Sequence, residues 1–112
     1  MPAKSREHVR PLPGVPGADI LVRLETERRT LLGYAIVVRI FERGAHHPVR
    51  LYDYIPAHGE HHLHRYTREG AKRQPPEIQS YATVQDGLDA AVGQIRASAN
   101  EMIDSWRRQS DQ

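Results

Sequence analysis

Hydrophobic and polar residues follow two different patterns along this chain, one typical of strands and one typical of a helix. From residue 19 to residue 25 apolar and polar positions alternate, which indicates a half-buried strand. Residues 31–42 are nearly continuous in apolar and β-branched types, as expected for a central strand. Residues 49–55 alternate again, and residues 60–67 follow after a short connection. Because the links between these strands are short and polar, we expect an antiparallel meander.

The last quarter of the chain repeats apolar residues every three or four positions, which predicts one long amphipathic helix. These positions are Leu88, Ala91, Val92, Ile95, Ala99, Met102, Ile103 and Trp106. Thr83 is expected to cap the helix, with Asp86 in its positive first turn. Residues 77–82 are expected to form a short edge strand. The predicted fold is therefore α+β, with an antiparallel sheet of four to five strands and one C-terminal helix packed on one face.

The 112 residues suffice for one small domain. Residues 1–17 contain four prolines and two glycines, so they are expected to form a flexible arm without regular hydrogen bonding. Residues 18–112 are then the single α+β domain.

Composition excludes several classes of protein. The chain has no cysteine, which rules out disulfides, thiolate metal sites and cysteine nucleophiles. No stretch reaches the roughly 18 apolar residues of a membrane span, and the start lacks the apolar region of a signal peptide. A cytoplasmic protein that does not interact with membranes is expected.

One helix covers only one face of the sheet, so the other face is expected to be open. We assign to the helix side the aliphatic positions Ile20, Val22, Leu24, Ile36, Val38, Ile40, Val49, Leu51 and Leu63. Alternation then predicts that the open face presents Arg23, Arg39, Phe41, Arg50, Tyr52, Tyr54, His62, His64 and Tyr66. Arginines and aromatic rings favour single-stranded nucleic acid, with Lys72 as a further binding residue.

Six of the seven histidines fall between residues 46 and 64, and four of them fall within residues 58–64. Imidazole titrates near neutral pH, so His62 and His64 suit metal-independent RNA cleavage as an acid/base pair. His58 or His61 would assist them, and Arg65, Arg50 or Lys72 would stabilise the developing negative charge.

Two other interpretations of the histidines remain open. His62 and His64 lie two apart on a strand and could share a zinc ion with a third ligand, for which His58, Asp53 and Glu60 are the candidates. Alternatively, the histidines are solvated or form hydrogen bonds across strands, with no reaction. No cofactor is assigned, and zinc is kept as the alternative.

The segment from Leu51 to His64 resembles the TumE-type toxin family of bacterial toxin-antitoxin systems. The matching positions are Tyr52, Asp53, His58, His61, His62 and His64. The family's motif commonly continues with asparagine after Tyr-Asp, where this chain has Tyr54, so a related subgroup is the closer description. The resemblance implies an RNA-directed toxin whose antitoxin covers the site.

The sequence thus predicts a toxin-like ribonuclease that acts on single-stranded RNA, with Asp53 among the candidate catalytic residues. RNA and a cognate antitoxin are the expected partners, and a homodimer is compatible with the pattern. The alternative is a non-enzymatic module, or a zinc-binding regulator, that uses the same open face to bind nucleic acid or protein. The sequence does not decide whether the protein is an enzyme.

Overall fold

Six strands lie side by side in the order in which they follow one another along the chain, and each pairs antiparallel with the next. The computed structural model describes residues 3–109. The elements are β1 (Lys4–Pro11), β2 (Ala18–Glu27), β3 (Thr30–Glu42), β4 (Ala45–Ile55), β5 (Glu60–Arg65), β6 (Glu77–Gln79) and α1 (Val84–Arg108). The predicted α+β architecture is confirmed, although the sheet has six strands instead of four to five.

The extra strand is β1, which lies in the segment predicted to be an arm. Residues 4–11 pair with residues 19–26, so the expectation of no regular hydrogen bonding is wrong there. Only Pro11 at the end of β1 lacks an amide hydrogen, so no proline interrupts the pairing with β2 before that residue. Gly14 and Gly17 adopt positive φ in the turn that leads to β2. Residues 1 and 2 lie outside the described residues.

Helix α1 begins as the sequence predicts. The Thr83 hydroxyl accepts a hydrogen bond from the Asp86 amide at 3.0 Å, which satisfies one of the free donors of the first turn. The helix packs mainly on β3 and β4 and is kinked at Ser98, where φ is −133° and ψ is 16°. Trp106 is buried, with its indole donating to the Thr67 carbonyl at 3.3 Å. No helix within residues 3–109 combines the length and apolar character of a membrane span.

A bulge between β3 and β4 decides which side chains reach the open face. Arg39 pairs with Pro48 and Val38 pairs with Arg50, so Val49 is one extra residue in β4. Pro48 has no amide hydrogen to give to the ladder, and bulges are among the few positions where a sheet accepts proline.

The bulge reverses the predicted faces of β4. Because paired residues share a face, Leu51 and Asp53 lie with Val37 and Ala35 on the open face. The prediction that Leu51 faces the helix is therefore wrong. The predictions that Arg50, Tyr52 and Tyr54 lie on the open face are wrong for the same reason, since they pair with Val38, Ile36 and Tyr34 of the helix-covered face.

Candidate metal centre

Three potential ligands meet on the open face where β4 and β5 pair. Asp53 lies directly opposite His62, and His64 follows two residues later on the same face. The Asp53 carboxylate lies 3.7 Å from His62 Nδ1 and 3.8 Å from His64 Nε2. One ligand atom from each residue falls within 4.8 Å of the other two. We call these three residues the Asp-His-His triad.

Two residues of the triad are buried and His62 is partly buried, and the described protein atoms do not satisfy all of their polar atoms. Asp53 is 6% exposed and His64 is 9% exposed. Among residues 3–109, Asp53 Oδ1 and His64 Nδ1 are buried atoms without a hydrogen-bond partner. Most buried polar atoms in proteins have one, so such an atom calls for an explanation. An ion among the three side chains would satisfy the carboxylate oxygen.

Burial and neighbouring charge act on the ionisation of the triad. Burial lowers the pKa of His64, and the Asp53 carboxylate opposes that effect only in part. The neutral imidazole that results is the form that binds a metal. Burial also raises the pKa of Asp53, against the attraction of His64, His62 and Lys72. A cation beside the carboxylate would relieve the cost of keeping it charged in this site.

Glu60 lies on the outer side of His62. Its Oε1 is 3.9 Å from His62 Nε2, whereas Nδ1 of the same ring faces Asp53. At this distance the carboxylate favours a proton on Nε2 electrostatically, without a hydrogen bond, and leaves Nδ1 free to act as a ligand.

The separations fit a first-row metal ion. Zinc at about 2.0 to 2.1 Å from each ligand in a tetrahedral site requires ligand atoms about 3.4 Å apart. The two observed nitrogen-to-oxygen separations are 3.7 and 3.8 Å. These distances end on different oxygens of Asp53, and one ligand atom from each residue lies within 4.8 Å of the other two, so the side chains would have to move closer together around a bound ion.

His61 lies on the opposite side of β5 from the triad, under the start of the helix. Its Nδ1 shares a hydrogen bond of 2.7 Å with the Tyr34 hydroxyl, and its ring contacts Tyr54 and Tyr81. Burial lowers the pKa of His61 and raises that of Tyr34. This pair is part of the interface between helix and sheet, so it does not support the predicted assisting role of His61.

Two of the three arginines predicted to bind nucleic acid, Arg23 and Arg39, are engaged by carboxylates. The Arg39 guanidinium makes a two-pronged contact with Asp19 at 2.7 and 2.9 Å. Arg23 donates to Glu7 at 3.2 and 3.0 Å. Arg65 pairs with Arg50 in the register, on the face away from the triad, and lies 3.9 Å from Glu77.

Three predicted residues do lie around the triad. Tyr66 continues the alternation of His62 and His64 and forms an isolated bridge with Lys72. Burial raises the pKa of Tyr66, and the Asp53 charge raises it further. His58 lies on the exposed turn after β4, where its charge is felt by Asp53. Of the lysine and arginine residues predicted to act at this site, Lys72 is the one whose charge acts on Asp53 and His64.

Sequence reasoning missed the apolar side chains next to the triad. Leu21, Val37 and Leu51 pair across β2, β3 and β4, and Leu51 pairs in turn with His64. Leu51 was expected under the helix, so the continuous apolar row on the open face was not foreseen. Only the position of the bulge could have revealed it, and Pro48 was the one signal for that bulge.

Comparisons with known proteins do not identify a family for this chain. No family model, no curated protein and no solved structure matches it. The likeness to the TumE-type toxins therefore has no support beyond the motif itself and stays a prediction.

Proposed function

We propose that this protein binds a divalent transition metal, with zinc as the ion that suits its ligands best, through Asp53, His62 and His64. Two imidazoles and one carboxylate are common ligands of zinc in proteins. The convergence of the three side chains, with a buried Asp53 oxygen that no described protein atom satisfies, is the observation that carries this proposal.

With three protein ligands, a tetrahedral ion keeps one coordination position that no protein atom fills. Sites that bind or transform a small molecule have this composition, whereas purely structural zinc sites usually have four protein ligands. A bound ion supplies Lewis-acid chemistry at the remaining position. The protein's own part is to keep His64 neutral through burial and to place Glu60 beside His62.

Calorimetric titration of tag-free, chelator-treated protein with zinc tests the proposal. We expect one zinc per chain, and we expect His64→Ala and Asp53→Asn each to weaken binding at least roughly tenfold, since each removes a ligand. His58→Ala is the matched control, because it removes a histidine close in sequence that lies outside the triad; its zinc affinity should stay within twofold. Circular dichroism establishes that each variant is folded. Equal affinities for all four proteins would reject the site.

The toxin-like ribonuclease is the second candidate, and one observation favours it. His62 and His64 share a face on which Lys72 acts electrostatically on His64 and Asp53. Two imidazoles and a cation are the groups that metal-independent RNA cleavage needs. In this proposal the antitoxin would cover the same face.

Cleavage of a labelled single-stranded RNA in the presence of excess chelator separates the two candidates. A ribonuclease of this kind remains active without metal and loses activity in His64→Ala, while a metal-dependent protein shows no chelator-resistant cleavage. RNA that is bound and not cut would favour the non-enzymatic binding module instead.

A further inference from the structure

We infer that the groove beside the triad binds an aliphatic carboxylate of medium chain length, with its carboxylate on the metal and its hydrocarbon tail along Leu51, Val37 and Leu21. The inference rests on the proposed metal site and adds the class of ligand. The groove has a volume of about 370 Å³, within the range of small-molecule sites, and Asp53 belongs both to its lining and to the triad.

The register of the sheet connects the groove to the metal ligands. Leu21 pairs with Val37, Val37 pairs with Leu51, and Leu51 pairs with His64, so one apolar row ends at a metal ligand. In the neighbouring row, Ala35 lies between Arg23 and Asp53. Because the Ala35 side chain is a single methyl group, the surface is depressed at this position, and the groove lies there.

A hydrocarbon tail suits this groove because its walls offer few free polar groups. Arg23 is engaged by Glu7, and the lining includes the aliphatic side chains of Leu21, Ala35, Val37, Leu51 and Ile55. Each methylene that leaves water for such a surface improves affinity roughly fourfold.

Charge sets the direction of the ligand. The far end of the groove carries Glu7, Glu25 and Arg23, which together have one more negative than positive charge. The other end has the metal ion and the charge of Lys72 acting on Asp53. A carboxylate is therefore attracted to the triad and repelled from the far end.

Calorimetry on the protein loaded with one equivalent of zinc tests the inference, with octanoate, acetate and 1-octanol as probes. We expect octanoate to bind at least ten times more tightly than acetate, because only octanoate has a tail. We expect it also to bind at least ten times more tightly than 1-octanol, which lacks the carboxylate. Octanoate should bind at least ten times more weakly to the zinc-free protein.

Val37→Asp separates the groove from the metal site. It should reduce octanoate affinity at least tenfold and leave zinc affinity within twofold, because Val37 is not a ligand. Val37→Thr is the second test in case the aspartate variant does not fold. Threonine has nearly the same shape as valine, and its hydroxyl should reduce octanoate affinity by a few fold.

The possible outcomes test the binding of the aliphatic carboxylate separately from the proposed metal site. Zinc binding without tail-dependent octanoate binding overturns the inference and leaves the metal site intact. Octanoate binding that is equal with and without zinc overturns the metal-anchored pose. A failure to bind zinc overturns both.

Discussion

Asp53 lies directly across the β4–β5 ladder from His62, and the two side chains share the open face of the sheet. The turn between the strands pairs odd-numbered residues of β4 with even-numbered residues of β5, so Leu51 and Leu63 cannot share a face. The extra residue Val49 then decides that Leu63 faces the helix and that the triad faces away from it. The candidate site thus depends on one bulge.

Gly87 allows the helix to approach the sheet closely at His61. A Cβ at this position would overlap the His61 ring and lie 2.6 Å from the Tyr34 hydroxyl. We expect Gly87→Ala to lower the free energy of unfolding by roughly 1–3 kcal/mol, in spite of alanine's better helix propensity. Gly93 is the control: it lies in the same helix with open space around it, and Gly93→Ala should stabilise the protein by about 0.5–1 kcal/mol. Urea unfolding of both variants measures the contrast, and a stabilised Gly87→Ala would contradict the packing at His61.

The buried His61 imidazole makes the stability of the metal-free protein depend on pH. Burial lowers the pKa of His61 in the folded protein, whereas the unfolded chain takes up its proton near pH 6.5. Between the folded value and about 6.5 the unfolded state binds more protons, so stability falls as the pH is lowered through this window and levels off below it.

When the folded and unfolded states differ by one bound proton, the free energy of unfolding changes by at most about 1.4 kcal/mol per pH unit. His61→Gln should make the decline between pH 7 and pH 5 shallower, although His64 contributes in the same direction and some decline will remain. Urea unfolding at several pH values provides the measurement, with the exposed His46→Gln as control. A decline as steep in His61→Gln as in the unsubstituted protein would argue against a buried, neutral His61.

The two arginine pairs of the open face should differ in strength. The side chains of Arg39 and Asp19 are 20% and 15% exposed, whereas those of Arg23 and Glu7 are 61% and 49% exposed. Solvent screens the outer pair more, and only Arg39 contacts both oxygens of its partner. Double-mutant cycles should give a coupling free energy of about 1–3 kcal/mol for Arg39 with Asp19 and less than about 1 kcal/mol for Arg23 with Glu7. Similar values for the two pairs would be inconsistent with this arrangement.

The sequence predicted the parts of the fold that depend on local pattern. The threonine cap and the apolar repeat located α1, and the apolar run of residues 31–42 located the central strand β3. The bulge at Val49 was not predictable from alternation, because one inserted residue reverses every later side chain without changing the pattern of the strand itself. The contact between Tyr34 and His61 joins residues 27 positions apart and depends on that register. For this reason the sequence indicated the histidines of the triad but left its third ligand undecided.

X-ray absorption at the zinc edge of the one-to-one complex tests the metal site most directly. We predict a first shell of two imidazole nitrogens and carboxylate oxygen at about 2.0 to 2.1 Å, with the remaining position taken by solvent or ligand. The zinc spectrum of His64→Ala should show one imidazole fewer, while that of His58→Ala should match the unsubstituted protein. A shell without imidazole, or an imidazole count unchanged in His64→Ala, would contradict the assignment of zinc to Asp53, His62 and His64.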